Sequence, residues 1–262
     1  MPKLDKPQTA LELGRDHVAY GHYALGRLSP RMLWAISVGA DRDSPSLAVK
    51  GNPAQPNEDG LLALEVGDRA LLAVADGHFG QQASHELLEE LAARVPPIPG
   101  TPEELVALLR RLAERERARE CASGTSLLVA IYDRATREGF GLSFGDSTFA
   151  IVGAAGHRRE IHWPSAGFVS PERPGSLNPQ AADRFAFRAA SGELLLVYTD
   201  GINECHYREP KTSVTPELMG ELWLSTAGDP ESYVRQLVEL ALAGVDGHPG
   251  GQDNLAVVTL QA

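Results

Sequence analysis

The apolar run Leu71–Ala75 ends in Asp76, Gly77 and His78. A strand that delivers a carboxylate and an imidazole to its open end presents one group able to hold a cation and another able to move a proton. The arrangement recurs along the chain. Glu58 and Asp59 precede the run 61–66, Asp146 sits in a tight turn between two runs, Asp200 and Gly201 follow the run 193–199, and Asp253 precedes the run 255–260. Any one Asp at a strand end is an ordinary turn former or helix cap. Five such junctions, each bordered by an apolar run, read better as parts of one site than as five separate turns.

If these acids converge, electrostatics leaves few options: clustered carboxylates without Lys or Arg repel, so either several take up protons or a cation sits among them. Asp, Glu and main-chain carbonyls, with no paired Cys and little His, suit hard cations that keep bound water, Mg²⁺ or Mn²⁺ ahead of Zn²⁺. Two such ions bridged by a carboxylate can hold a water as hydroxide and clamp a phosphoryl group undergoing displacement. Gly77, lacking a Cβ, allows its carbonyl a close approach to a metal.

The elements that must position these groups are mostly strands. Apolar runs at 61–66, 70–75, 126–132, 140–144, 148–153, 159–163, 185–189, 193–199 and 255–260, together with 31–38, are separated by short turns that suggest antiparallel hairpins. Four amphipathic stretches read as helices covering the outer faces of the sheets: 80–95, 101–120, 215–224 and 229–244. The second opens on a capping box, with Thr101 as N-cap, Pro102 at the first helical position and Glu104 three residues after the cap. The mixed-sign run 110–120 reads as a solvated helix face. Hairpins with a few long helices point to an α+β layered domain rather than a doubly wound parallel sheet. Residues 1–30 show no clear period and are expected to be an N-terminal extension, with a single domain over 31–262. The Pro- and Gly-containing connection 164–183 has the length of a binding flap.

At 262 residues, 43% hydrophobic and 23% charged, the chain has the composition of an ordinary globular protein. A net charge of −11 argues against partners such as nucleic acid or an anionic membrane surface, which select clustered Lys and Arg. No apolar leader and no spanning segment is legible, so a cytoplasmic location is expected. Cys121 and Cys205, far apart and without zinc-site spacing, are expected to be reduced, partly buried small hydrophobes.

The ordered set "NED" (57–59), "VADGHFG" (74–80), "SGTSLLVAI" (123–131), "FGDS" (144–147), "YTDG" (198–201) and "QDNLAVV" (252–258) resembles the metal-dependent protein serine/threonine phosphatases, the type 2C or PPM family, in its compact bacterial form. The resemblance implies a four-layer α-β-β-α sandwich of two antiparallel β-sheets flanked by helices, with a dinuclear Mn²⁺ or Mg²⁺ centre between the sheets. It implies that Asp76 bridges both metals, Gly77 offers its carbonyl, Glu58 holds the second metal, and Asp200 and Asp253 complete the first. It further implies that Asp59 orients metal-bound water, Asp146 serves a third, weaker metal position, and His78 is the general acid for the leaving hydroxyl, with an imidazole pKa near its ordinary value. His17, His22, His85, His157, His162, His206 and His248 receive no role. The implied partners are a phosphoprotein substrate and a cognate kinase or its targets, and a monomer is expected.

The match breaks in places. Ala54 stands where such enzymes carry a phosphate-binding Arg, so phosphate is held either by the metals or by Lys50, Arg42 or the 164–183 segment. Phe79 replaces a common Gly, Thr148 replaces a frequent Arg, and 164–183 fits the usual flap poorly. The alternatives to a protein phosphatase are a non-catalytic regulator that binds a phosphoprotein, and a phosphoesterase for a small metabolite.

Overall fold

The computed structural model describes residues 6–44, 50, 54–116, 123–162, 169, 178, 182–208 and 211–262. Among them are fourteen strands, four α-helices and one short 3-10 turn, Gly14–Asp16. The strands are β1 (Gln8–Leu13), β2 (Tyr23–Ser29), β3 (Met32–Ser37), β4 (Gly60–Val66), β5 (Arg69–Ala75), β6 (Gly77–His78), β7 (Gly124–Thr125), β8 (Leu127–Asp133), β9 (Glu138–Phe144), β10 (Thr148–Val152), β11 (Arg158–His162), β12 (Asp183–Arg188), β13 (Leu194–Tyr198) and β14 (Leu255–Gln261). The helices are α1 (Gln82–Ala92), α2 (Pro102–Glu116), α3 (Pro216–Ser225) and α4 (Pro230–Ala243).

One sheet runs β1-β4-β5-β8-β9-β12 and the other β11-β10-β13-β14-β3-β2, with β6 and β7 forming a small separate pair. Every pairing is antiparallel, as the hairpin turns predict. The inner strands are apolar throughout rather than alternating because both faces are covered. Along β4 and β5, Leu62, Leu64, Leu71 and Ala73 join a core with Leu87, Leu88 and Leu91 of α1 and Leu105, Leu109 and Leu112 of α2. Their neighbours Leu61, Ala63, Leu72 and Val74 turn the other way and meet Ile36, Ile151, Val197 and Val258 of the second sheet. On the far side, Leu196, Tyr198 and Val257 pack against Met219 and Trp223 of α3 and Val234, Leu237 and Val238 of α4. The result is the four-layer sandwich, with three apolar layers shielding the two sheets from solvent.

The helix starts follow the sequence closely. Thr101 Oγ1 accepts from Glu104 N at 3.2 Å, although the Glu104 carboxylate reaches Gly100 N at 2.5 Å rather than the amide of the cap residue itself. Thr215 caps α3 and Asp229 caps α4, each ahead of a Pro in the first turn. Arg110 and Arg111 are exposed, in keeping with a solvated face, while Leu112 turns into the core; the side chains of 113–120 lie outside those described.

The expected irregular lead-in over 1–30 gives way from Gln8 onward. β1 pairs with β4 from Gln8↔Glu65 to Leu13↔Gly60, and β2 pairs with β3, so this segment supplies one edge of each sheet. Edge strands carry mixed polar residues and only partial burial, which erases the period that a sequence reading uses.

Candidate metal centre

In an antiparallel pair the start of one strand lies beside the end of its partner. The register Gly60↔Ala75 therefore sets Glu58 and Asp59, ahead of β4, next to Asp76 at the end of β5. The β13–β14 pairing does the same for Asp200 and Asp253, and Asp146 lies in the turn by which the chain crosses from β9 in the first sheet to β10 in the second. Every predicted acid thus reaches the same end of the sandwich.

Short bonds fix them there. Thr199 Oγ1 donates to Asp59 Oδ2 at 2.7 Å, tying the two sheets together. The Asp59 carbonyl accepts from Gly14 N at 2.8 Å and lies 3.0 Å from His85 Nε2. Glu58 N donates to Asn254 Oδ1 at 2.9 Å. The carbonyl of Asp76 accepts from Ser126 N at 2.8 Å, while Ser126 Oγ contacts Ser147 Oγ at 2.8 Å and so links Asp76 to the Asp146 turn. Gly77 has a steric reason to lack a side chain: a Cβ there would stand 2.6 Å from the Glu58 carbonyl and 2.9 Å from Ser84 Oγ. Gly201 is tighter still, since a Cβ added to it would stand 1.9 Å from Asn254 O.

Glu58, Asp59, Asp76 and Asp253 are buried, and Asp146 and Asp200 partly so. Burial pushes the Asp59 carboxyl up to about 7, against the pull of Lys50 and with Asp253 adding to the rise. Burial holds Asp76 and Asp200 well above the usual carboxylate range, and neighbouring carboxylates raise both further. Asp146 is raised by the same cause, opposed by His78. Asp59 Oδ1, Asp146 Oδ1 and Asp200 Oδ1 are buried with no hydrogen-bond donor among the described residues. A set of oxygen donors with orphaned buried oxygens and raised pKa values carries more negative charge than Lys50 alone offsets, and a hard divalent cation fits that deficit. Asp76, His78 and Asp146 form a group whose ligand atoms all lie within 4.8 Å of one another.

His78 Nε2 lies 3.9 Å from Asp76 Oδ2. Its pKa departs from the expected ordinary value: burial lowers it, with Lys50 adding, while Asp146 and Asp253 pull the other way. Phe79, beside it, is 72% exposed with φ 62°. Ala54 is exposed, and Arg42 stacks over the Tyr20 ring at 5.1 Å. Thr148 is buried within β10 and offers no surface for a substrate contact. The 164–183 segment, apart from residues 169, 178, 182 and 183, and Cys121 lie outside the described residues; Cys205 is a buried free thiol.

Sequence reasoning missed several residues that hold the site. His85, one turn into α1, meets the Asp59 carbonyl, and Tyr207 donates to Asp253 Oδ2 at 2.8 Å and lies 3.3 Å from Asp200 Oδ2. Lys50, considered above only as a phosphate contact, reaches Asp253 Oδ1 at 3.1 Å. Thr199 was legible as the neighbour of Asp200 in "YTDG"; Tyr207 carried no spacing signal.

Residues 75–262 match the family described as Stage II sporulation protein E (SpoIIE), which is more than half of the chain. The chain belongs to the SpoIIE family. No curated protein sequence matches this SpoIIE-family chain. Among solved structures it is similar to the catalytic domain of the serine/threonine protein phosphatase PstP in complex with two manganese ions, at 22% identity and TM-score 0.61 over 92% of this chain and 99% of that one. The PPM Ser-Thr phosphatase MsPP from Mycobacterium smegmatis, in complex with cacodylate, is 22% identical with TM-score 0.58 over 93% and 99%. RsbX in complex with magnesium is 13% identical with TM-score 0.60 over 92% and 99%. The SpoIIE-family chain therefore has the fold of bacterial-type PPM Ser/Thr phosphatases, two of which are seen with manganese or magnesium bound. No helix among its described residues is long and apolar enough to cross a membrane.

Proposed function

We propose that the chain hydrolyses phosphoserine or phosphothreonine in proteins, using two divalent ions, Mn²⁺ or Mg²⁺. One observation carries this reading: buried acids from both sheets converge at one end of a PPM-type sandwich and keep orphaned oxygens there. Glu58, Asp76, Gly77, Asp200 and Asp253 would hold the two ions, and Asp146 a third, weaker one. Bound there, the ions would supply Lewis acidity and lower the pKa of a coordinated water.

The chain's own groups provide the proton handling. Asp59, held by the Thr199 hydroxyl beside the other acids, is placed to orient water and accept its proton. His78, at the mouth and partly exposed, is placed to give a proton to the departing hydroxyl. The exposed Phe79 ring offers an apolar contact for the residues flanking the phosphoamino acid. The partners would be a phosphoprotein and the kinase that produces it, and we place the reaction in the cytoplasm with the chain acting as a monomer.

A second reading is favoured by Ala54, which offers no phosphate-binding fork, while Arg42 is stacked on Tyr20. A regulator that binds a phosphoprotein without turnover would look this way.

Hydrolysis of p-nitrophenyl phosphate and of a phosphothreonine peptide in Mn²⁺, in Mg²⁺ and with a chelator separates the two. Turnover that requires metal and disappears in Asp76→Asn supports the phosphatase. Absence of turnover with Mn²⁺ bound favours the regulator.

A further inference from the structure

Lys50 places a positive charge inside the carboxylate cluster. Its Nζ lies 3.1 Å from Asp253 Oδ1, and only 7% of the side chain is exposed. Burial works against the ammonium, but Asp253, followed by Asp76, Asp59 and Glu58, outweighs it and holds the lysine pKa above its ordinary value. Such a charge would not be tolerated at this depth without acidic partners.

Asp253 is fully engaged. Its Oδ1 also accepts from Asn254 N at 2.7 Å, and its Oδ2 accepts from the Tyr207 hydroxyl at 2.8 Å. The main-chain amide and the phenol are built into the fold around Asp253. The ammonium, by contrast, hangs on a flexible four-carbon stem and is a point charge with no fixed fork to satisfy. One monovalent charge also leaves the cluster under-neutralised, since Asp59 Oδ1, Asp146 Oδ1 and Asp200 Oδ1 stay buried with no donor among the described residues.

We propose that Lys50 is an exchangeable internal cation: its ammonium and a divalent ion compete for Asp253 Oδ1, so Lys50 sets how tightly this chain binds metal. The inference rests on the metal-site reading of Asp76, Asp200 and Asp253. Without metal, Lys50 keeps the buried acids paired; when metal enters, the ammonium leaves Asp253. The site is thereby folded before it is loaded, at a cost in metal affinity.

The test is calorimetric titration of Mn²⁺ into the metal-stripped full chain, comparing the natural sequence with Lys50→Gln and Lys50→Arg, together with thermal unfolding of each metal-free form. The expected result is that Lys50→Gln binds Mn²⁺ about tenfold more tightly and melts lower without metal, while Lys50→Arg, which retains the charge, stays close to the natural chain. Unchanged or weaker Mn²⁺ binding by Lys50→Gln overturns the inference. If metal-free Lys50→Gln does not fold, the rate at which Mn²⁺ leaves the loaded protein for a chelator, followed by electron paramagnetic resonance, makes the same comparison. Slower release than from the natural chain supports the exchange, and equal or faster release overturns it. Asp76→Asn is the separate control: if it binds Mn²⁺ as the natural chain does, the metal-site reading has failed rather than the role of Lys50.

Discussion

The Tyr207 hydroxyl stands between two carboxylates of opposite strand ends, 2.8 Å from Asp253 Oδ2 and 3.3 Å from Asp200 Oδ2. It has one proton to give, and Asp253 takes it. The phenol is itself pushed far above its ordinary pKa by burial and by both carboxylates, so it remains a neutral donor at any pH the protein meets. Tyr207 thus orients two proposed ligands without adding charge to the site.

Tyr207→Phe removes that donor and keeps the ring. Mn²⁺ affinity is expected to fall about tenfold, the lower range for losing a group that orients metal ligands. Calorimetric titration checks this, and far-ultraviolet circular dichroism should be unchanged. Equal affinity in the variant would mean that Asp200 and Asp253 are positioned by the backbone alone.

Asp59 predicts how stability without metal depends on pH. Its folded pKa, about 7, is raised above the ordinary 3.8, so the folded chain holds a proton that the unfolded chain releases. That contribution is complete below the unfolded pKa and is lost as pH rises through the folded one. The metal-free melting temperature should therefore fall between about pH 5 and about pH 8, and the rise in melting temperature produced by Mn²⁺ should grow over the same interval as the cation takes the place of the proton. Differential scanning fluorimetry across that range, with and without Mn²⁺, is the measurement. A Mn²⁺ effect that shrinks with pH would contradict the assignment.

Gly201→Ala is expected to do more damage than its single methyl suggests. The added Cβ would meet Asn254 O at 1.9 Å, a main-chain contact that no rotamer can relieve, and Asn254 also holds Glu58 N and adjoins Asp253. The loss should be about 3 kcal/mol by chemical denaturation, at the upper end for overpacking, with Mn²⁺ binding weakened in parallel. A near-neutral effect would show that the β13–β14 junction can shift without disturbing the cluster.

How much could be read in advance depended on how each residue announces itself. Buried strands such as β5 and β13 were legible because both faces are apolar, and the acids at their ends stood out against those runs. Thr101, Thr215 and Asp229 marked helix starts through local chemistry that needs no tertiary context. β1 and β2 were illegible for the converse reason: as edge strands they are half exposed, and the pairing of β1 with β4 is decided by a partner far along the chain. Gly14 shows what was missed, since its N–H helps fix the Asp59 carbonyl from within a segment read as an extension. Tyr207 and Lys50 were beyond motif reading because their roles arise from reach, the length of a side chain entering a site built by other elements.

β14 lies inside the second sheet, between β13 and β3, and Asn254 Nδ2 just ahead of it donates to Val38 O at 3.0 Å across 216 residues of sequence. During synthesis, then, β3 waits for a neighbour that is made long after it, and such long-range pairing is slow to form. A nascent chain that stops before residue 255 would present two unpaired interior edges, on β13 and β3, instead of one smaller sheet. Products truncated there should therefore be insoluble rather than partly folded, and the acidic cluster is assembled only in a chain translated through β14.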